Sequence, residues 1–272
     1  MAVEHASPQE LGATSYDTAG LLDHLTKRAA PRERLARLEW ILFYLHEYTR
    51  SPQVLHAELA RDPAFFVEVL CWIYRARPGE SETHERGDEE SFTPPVEEPD
   101  DAEQAALKAE RGRRAWSLLF HWHQVPGLQE DGGLDEEHLK NWVARVRELA
   151  GEKERRVMAL IQIGHALAHA PRDEDGVWPH RAVRDIIDDL ANPHLESGFY
   201  CQVITNRGVT TRGLTAGGVQ ERALAEKYGK DADQVADAWP RTASVLRGIA
   251  KDYQRHAERE DRSADLTQDF WR

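Results

Sequence analysis

Apolar residues recur along this 272-residue chain at steps of three and four, which is the spacing of one face of an α-helix. One such row near the start consists of Leu35, Leu38, Leu42 and Leu45. The alternation of apolar and polar residues that marks a β-strand is nearly absent, and Tyr200–Thr205 is the one short candidate. The sequence therefore predicts an all-α fold, either a multi-helix bundle or an α-solenoid-like array of antiparallel helices.

Prolines mark the starts of several helical patterns, where a missing N–H group costs nothing. Asp62, directly before Pro63, is predicted to cap one of these helices. The eight tryptophans are expected to anchor packing between helices. The predicted helices cover 18–29, 31–49, 52–61, 63–77, 101–122, 135–150, 152–170, 179–191, 193–202, 218–237 and 240–262.

Acidic residues are concentrated in one segment. From Glu80 to Glu103 there are eleven carboxylates and one arginine, which account for ten of the thirteen net negative charges. Such a segment, with prolines and little to bury, is typical of a disordered insertion or linker. We therefore predict an N-terminal helical unit (1–78), an acidic flexible linker (79–103) and a C-terminal helical domain (104–272). The basic residues expected to attract the linker are Lys108, Arg111, Arg113 and Arg114.

Signals for export or membrane insertion are missing from the sequence. Its longest apolar run is far shorter than the roughly 20 residues that a transmembrane helix needs. The start, Met1–Ser7, has neither the basic nor the apolar region of a signal peptide. We therefore expect a cytoplasmic protein without membrane contact. Cys71 and Cys201 have apolar neighbours, which favours buried, reduced thiols over a disulfide.

A loop without carboxylates precedes the predicted helix 218–237. Its glycines allow close approach of the backbone, its arginines can clamp phosphate or carboxylate, and the N–H groups at a helix start favour an anion. The alternative is a structural loop whose arginines pair with carboxylates of neighbouring helices. The candidate anion-binding residues are Asn206, Arg207, Thr210, Thr211, Arg212, Gly217 and Gly218.

The common signatures of nucleotide-binding, hydrolytic and zinc enzymes are missing, which favours a non-catalytic protein without a cofactor. His165 and His169, four residues apart on a predicted helix, are weak candidates for metal ligands. A third ligand is not indicated, and the alternative is a solvated pair near a helix C-terminus. The cluster Asp173–Gly176 lacks the ligand spacing of a calcium loop and predicts a polar turn.

Four stretches of the chain resemble the C-terminal helical region of very large, poorly characterised bacterial proteins. They are Leu38–Trp40, Asp62–Leu70, Asn206–Arg212 and Gly217–Ala225. The resemblance spans most of the chain but names no activity. It implies a fragment or standalone relative of a multidomain protein whose catalytic portion lies elsewhere. By analogy with bacterial defence and signalling proteins, it also implies a sensing or scaffolding role.

Three functions are open at this point. The first is a non-catalytic interaction, sensor or scaffold module that binds a protein partner within a larger bacterial system, such as anti-phage defence. The second is binding of a phosphate, nucleotide or nucleic acid through Arg207, Arg212 and Gly217–Gly218, although no basic stripe indicates nucleic acid. The third is a metal-dependent hydrolase that uses His165 and His169. Helical architecture without catalytic signatures favours the first.

Overall fold

The computed structural model describes residues 20, 22, 24, 25, 31–46, 51–77, 102–208, 211, 213 and 216–270. This part of the chain confirms the all-α class, and its β-type pairing is limited to an isolated antiparallel bridge between Leu128 and Leu134. No helix within it is long and apolar enough to span a membrane. The helices with described ends are α1 (Arg32–His46), α2 (Gln53–Arg61), α3 (Pro63–Ile73), α4 (Ala102–Phe120), α5 (Glu136–Glu152), α6 (Arg156–Leu167), α7 (Arg181–Leu190), α8 (Pro193–Thr205), α9 (Val219–Val235) and α10 (Pro240–Phe270).

Helix starts follow the local signals of the sequence. The Asp62 side chain accepts a hydrogen bond from the backbone N–H of Ala64 at 2.9 Å, so the predicted cap of α3 is confirmed. Asn192 caps α8 in the same way, accepting from the N–H of His194 at 2.9 Å. Pro63, Pro193 and Pro240 are each the first residue of a helix. Asp62 and Asn192 each bond to an N–H group only two residues ahead, which is why the sequence reveals these caps.

Several predicted elements differ from the structure in type or extent, and two of these differences concern α8 and α10. The strand candidate Tyr200–Thr205 is the end of α8, where Val203 is buried and the Thr205 hydroxyl donates to the carbonyl of Cys201 at 2.9 Å. Helix α10 continues to Phe270 rather than ending at 262. Buried Ala264 lies in this additional part and extends the apolar row of α10.

The described chain divides into two compact units. Unit 1 comprises described residues within 1–80, 86–126 and 141–156, and unit 2 those within 81–85, 127–140 and 157–272. Helix α4 thus belongs with the N-terminal helices, whereas the sequence-based division assigned residues from 104 onward to the C-terminal domain. The two helices α3 and α4 approach so closely that a Cβ on Gly112 would lie 3.1 Å from the Trp72 carbonyl oxygen.

The acidic segment falls almost entirely outside the described residues, and its role as a linker stays a prediction.

Aromatic side chains form the core of unit 1. The Phe66 ring centroid lies 5.5 Å from that of Trp122 and 4.8 Å from that of Trp142. Each indole N–H donates to a backbone carbonyl, Trp122 to His56 at 3.2 Å and Trp142 to Leu59 at 3.1 Å. Because the hydrogen bonds satisfy the only polar atom of each ring, both tryptophans can be buried between helices.

Helices α6 and α8 in unit 2 cross at two glycines. A Cβ on Gly164 would lie 2.2 Å from the carbonyl oxygen of Leu195, and a Cβ on Gly198 would lie 2.1 Å from that of Ile161. Side chains at either glycine would force the two backbones apart, so these glycines set the distance between the helices.

Helices α9 and α10 form an antiparallel pair joined by residues 236–239. Buried residues recur along both helices in steps of three and four, as in the seam of a coiled coil. In α9 the row contains Glu221, Tyr228, Ala232 and Val235. In α10 it contains Ala243, Leu246, Tyr253, Ala257 and Ala264.

The acidic cluster Asp173–Gly176 is a polar turn, as predicted. The Gly176 N–H donates to the Asp173 carbonyl at 2.9 Å, and Gly176 has a φ of +76°. Arg184, only 1% exposed, binds both carboxylate oxygens of Asp175 at 2.9 and 3.1 Å. The guanidinium also lies 5.0 Å from the centroid of the Trp239 ring. An internal cation thus holds the carboxylate, and it keeps the pKa of Asp175 below its ordinary value.

The two cysteines differ in exposure. Cys71 is half-buried, and burial raises the pKa of its thiol. Cys201 is exposed on α8, so the prediction that both thiols are buried is wrong for this residue. Its apolar sequence neighbours belong to a helix, where successive residues point about 100° apart, and their burial does not carry over to Cys201.

Candidate functional site

Arg207, the first arginine of the predicted anion-binding loop, is bound within the chain. Its guanidinium forms an ion pair with Glu221 in the first turn of α9, whose side chain is 1% exposed against 16% for Arg207. The guanidinium carbon also lies over the ring of Tyr253 on α10, 5.6 Å from the centroid. A carboxylate in the protein interior requires such a cation, because an unpaired buried charge is strongly unfavourable. For Arg207, therefore, the structural alternative holds: this arginine pairs with a carboxylate of a neighbouring helix.

Tyr253, which lies beside this ion pair, stacks on a second tyrosine, Tyr228. The ring centroids of Tyr228 and Tyr253 are 5.8 Å apart, and the ring planes differ by 6°. Burial, with smaller contributions from Tyr253 and Asp231, raises the pKa of Tyr228 to about 12. Burial also raises the pKa of Tyr253; Arg207 opposes this increase and Glu221 adds to it. The Arg207 guanidinium thus faces the uncharged ring of Tyr253, and both members of the ion pair are largely shielded from solvent.

The amino terminus of α9 binds a carboxylate of the same chain. One oxygen of Asp261, on α10, accepts a hydrogen bond from the Gly218 N–H at 2.8 Å. The other oxygen pairs with Arg222 at 2.5 Å. The bond from Gly218 and then the pair with Arg222 lower the pKa of Asp261. The start of a helix favours an anion, and at α9 that anion is the Asp261 carboxylate of the same chain.

Gly217 and Gly218 permit the close approach of α9 to α10. Gly217 has a φ of +58°, and a Cβ at this residue would lie 2.6 Å from an Asp261 carboxylate oxygen. A Cβ on Gly218 would lie 2.3 Å from the carbonyl oxygen of Ala257. The glycines predicted to admit a ligand therefore admit the backbone and side chains of α10.

The remaining loop candidates are only partly described. The Asn206 amide donates to the Ala168 carbonyl at 3.4 Å and accepts from the Gln202 side chain at 2.8 Å, which joins the end of α8 to the end of α6. The Thr211 carbonyl accepts from the Gln220 side chain at 3.4 Å. Thr210 and Arg212 lie outside the described residues. Binding of an external anion by this loop stays a prediction.

His165 and His169, the weak candidates for metal ligands, are both partly buried, whereas the alternative interpretation was a solvated pair. His165 is half-buried rather than solvated, and burial lowers its pKa. The Nδ1 atom of His169 lies 3.5 Å from the Asn206 amide nitrogen. Among the described residues, no group of three or more histidine, cysteine, aspartate or glutamate side chains is arranged to hold a metal ion.

The solvent-facing side of α4 is a second candidate site, which sequence reasoning missed. Trp116 is 53% exposed and Phe120 is 54% exposed. Their rings stack on consecutive turns, with centroids 4.9 Å apart and planes 17° apart. Residues 102–109 on the preceding turns are all exposed. Large aromatic side chains in this setting are typical of surfaces that bind proteins.

Basic residues of α4 are engaged by groups of unit 1. Arg113 and Arg114 both pair with Glu110. The hydrogen bond from Arg113, followed by that from Arg114, lowers the pKa of the Glu110 carboxyl. The Arg111 guanidinium lies 5.7 Å from the centroid of the Trp72 ring. The predicted attraction of the acidic segment to this cluster stays a prediction, since most of that segment is not described.

Sequence signals did exist for the residues that were missed. Glu221 falls in the same row as Tyr228 and Val235, at steps of seven, and a carboxylate in an apolar seam indicates a buried ion pair. Trp116 and Leu118 are two residues apart on α4 and therefore point about 200° apart. A helix with large apolar side chains on opposite faces buries one face in its own domain and leaves the other for solvent or a partner.

Comparisons of the chain with models of protein families, with curated proteins and with solved structures gave no match. The resemblance to the helical region of large bacterial proteins accordingly stays a prediction. The function is best argued from the internal ion pairs of unit 2 and from the exposed face of α4.

Proposed function

We propose that this chain is a non-catalytic, cytoplasmic interaction module, a sensor or scaffold, that binds a protein partner through the solvent-facing side of α4. The stacked pair of Trp116 and Phe120 carries the proposal, because each ring leaves about half of its surface in water. Removing apolar surface from water contributes roughly 25 cal/mol per Å². Aromatic anchors of this kind dominate the affinity of protein interfaces.

The partner surface that fits this side of α4 is another helix. Six exposed residues follow one another on this side at alternating steps of four and three, which is the spacing of a coiled-coil seam. They are Ala102, Ala106, Ala109, Arg113, Trp116 and Phe120. Small side chains on one half and bulky side chains on the other favour a partner helix whose apolar side chains have the reverse order of size.

The charged groups of unit 2 support an interaction role over a catalytic one. Several of them bind one another or cap helices within the chain. Asp188, for example, accepts from the Thr242 hydroxyl at 2.7 Å and from the N–H of Arg241 at 2.8 Å, which caps α10. The pairs of Arg207 with Glu221 and of Arg184 with Asp175 serve the fold in the same way.

The proposed setting is a larger bacterial system, such as anti-phage defence, and rests on the family resemblance. In that setting the partner is another subunit of the system, and the catalytic portion lies on a different polypeptide or domain.

The proposal predicts that partner binding requires both aromatic rings. We expect the wild-type chain to capture a protein that the double variant Trp116→Ser/Phe120→Ser does not retain. The captured protein is then purified and titrated against both chains, and we expect at least a tenfold weaker affinity for the variant. A Leu266→Ser variant is the matched control, because Leu266 is 72% exposed on α10 and its loss should leave binding unchanged.

Equal retention of all proteins by wild-type and variant baits, together with a strictly monomeric wild-type chain, would overturn the proposal. Circular dichroism of each variant checks that the helices remain folded.

A further inference from the structure

We infer that the helix that covers this face of α4 is α4 of a second copy of this chain, packed antiparallel about a twofold axis. The inference rests on the proposed function and names its partner. A twofold axis places the same surface of both copies in the interface, so the surface must be complementary to itself. The face of α4 meets this requirement in both size and charge.

Size complementarity follows from the order of residues along the face. With the axis near Arg111, Ala102 of one copy lies opposite Phe120 of the other, and Ala106 lies opposite Trp116. Both alanines are exposed in the single chain, and so are both aromatic residues. In this register each large ring meets a small side chain, which allows the two helices to approach closely without leaving cavities.

Charge complementarity appears at the centre of the same register. Arg113 lies opposite Ala109 of the second copy and within reach of its Glu110. Within one chain Arg113 already pairs with Glu110, and its side chain remains 71% exposed. Arg113 and Glu110 of each copy, two side chains of each sign in all, therefore meet near the axis, while Arg114 stays paired with Glu110 inside each chain. Charged residues at seam positions are known to fix register and orientation in paired helices.

Over the second half of α4, the side opposite the seam is occupied by the core of unit 1. Ala115, Leu118 and Leu119 are buried there, so the helix can present its seam without unfolding its own unit. Its nineteen residues extend about 28 Å at 1.5 Å per residue. One helix pair of this length forms an interface at the small end of the range for protein complexes, and we expect association at about micromolar concentration.

Sedimentation velocity of the full chain, over about 1 to 100 μM, tests the inference against the expected micromolar association. The wild type should shift from monomer to dimer. Ala106→Trp should abolish the dimer, because the new ring meets Trp116 of the other copy. The matched control Gln104→Trp introduces the same ring about 200° away on the same exposed turn and should leave the dimer intact.

The exchanged variant Ala106→Trp/Trp116→Ala tests the direction of the helices. It should recover the dimer, since the large and small side chains have only changed places in an antiparallel pair. In a parallel pair residue 106 would face its own counterpart, and the exchange would not restore association. A monomer at about 100 μM, an unaffected Ala106→Trp dimer or a failed exchange would each overturn the inference.

Failure of this inference and failure of the proposed function give different results. A wild-type chain that is monomeric but still binds a purified partner through Trp116 and Phe120 overturns only the inference that a second copy covers this face. A monomeric chain whose captured proteins do not depend on these two rings overturns the proposed function as well.

Discussion

At the scale of single residues, the pair of Arg207 and Glu221 is the feature with the clearest energetic consequence. Glu221 is fully buried in the seam between α9 and α10, and the Arg207 guanidinium is the cation that pairs with it. Removal of one member of a buried ion pair typically costs about 3–5 kcal/mol, because the other charge stays in the interior without compensation. We expect Arg207→Ala to lower the free energy of unfolding by this amount, measured by urea denaturation.

Two further variants complete that experiment. Arg247→Ala removes an arginine whose pair with Asp233 is exposed on both sides, at 54% and 77%, and should change stability by less than about 1 kcal/mol. Replacing both Arg207 and Glu221 with Met removes the buried charges together and should recover most of the loss. If Arg207→Ala is as stable as Arg247→Ala, the ion pair does not have the structural role assigned to it.

At the scale of helices, glycines at different places should respond to alanine in opposite ways. A Cβ on Gly164 would lie 2.2 Å from the Leu195 carbonyl oxygen, whereas a Cβ on Gly229, in α9, has no atom within 4 Å. We expect Gly164→Ala to destabilise unit 2 by about 1–3 kcal/mol through overpacking. Gly229→Ala should stabilise it by about 0.5–1 kcal/mol, since alanine favours the helix. Thermal denaturation of the two variants measures both signs, and equal shifts would contradict the close crossing of α6 and α8.

Helix starts were predictable where the residues that set them lie next to them in the sequence. The cap at Asp62 and the proline that begins α10 act through residues adjacent in sequence. Partners distant in sequence were not predictable: Gly218 is capped by Asp261, 43 residues away. The end of α10 was also missed, since residues 258–263 are all polar and the apolar row resumes only at Ala264.

At the scale of the whole molecule, acid should destabilise the chain in two stages. Burial, with smaller contributions from His123 and His121 and partly offset by a hydrogen bond to the Leu118 carbonyl, lowers the pKa of His56 from 6.5 to about 4. Between these two values the unfolded chain binds more protons than the folded chain. The contribution of neutral His56 to the free energy of unfolding is therefore fully present above pH 6.5 and is lost as the pH falls towards 4. The lowered pKa values of Asp175 and Glu110 extend the loss below about pH 4.

A His56→Gln variant separates the two stages. Glutamine keeps a donor for the Leu118 carbonyl but cannot be protonated, so the variant should lose the upper stage alone. Relative to the variant, the wild type should lose about 3 kcal/mol between pH 6.5 and pH 4. The free energy of unfolding at several pH values measures the difference, and parallel profiles of the two proteins would show that His56 is not buried in its neutral form.

The sequence by itself determined the all-α class, most helix starts and the polar turn at Asp173–Gly176, because periodicity, caps and turns depend on neighbours along the chain. Only the tertiary structure decided the roles of the most unusual residues. It paired Arg207 with Glu221, placed Asp261 at the start of α9 and left Trp116 and Phe120 in solvent. Charge and exposure are properties of three-dimensional surroundings, and residues 14 to 43 positions apart become neighbours only when the helices pack.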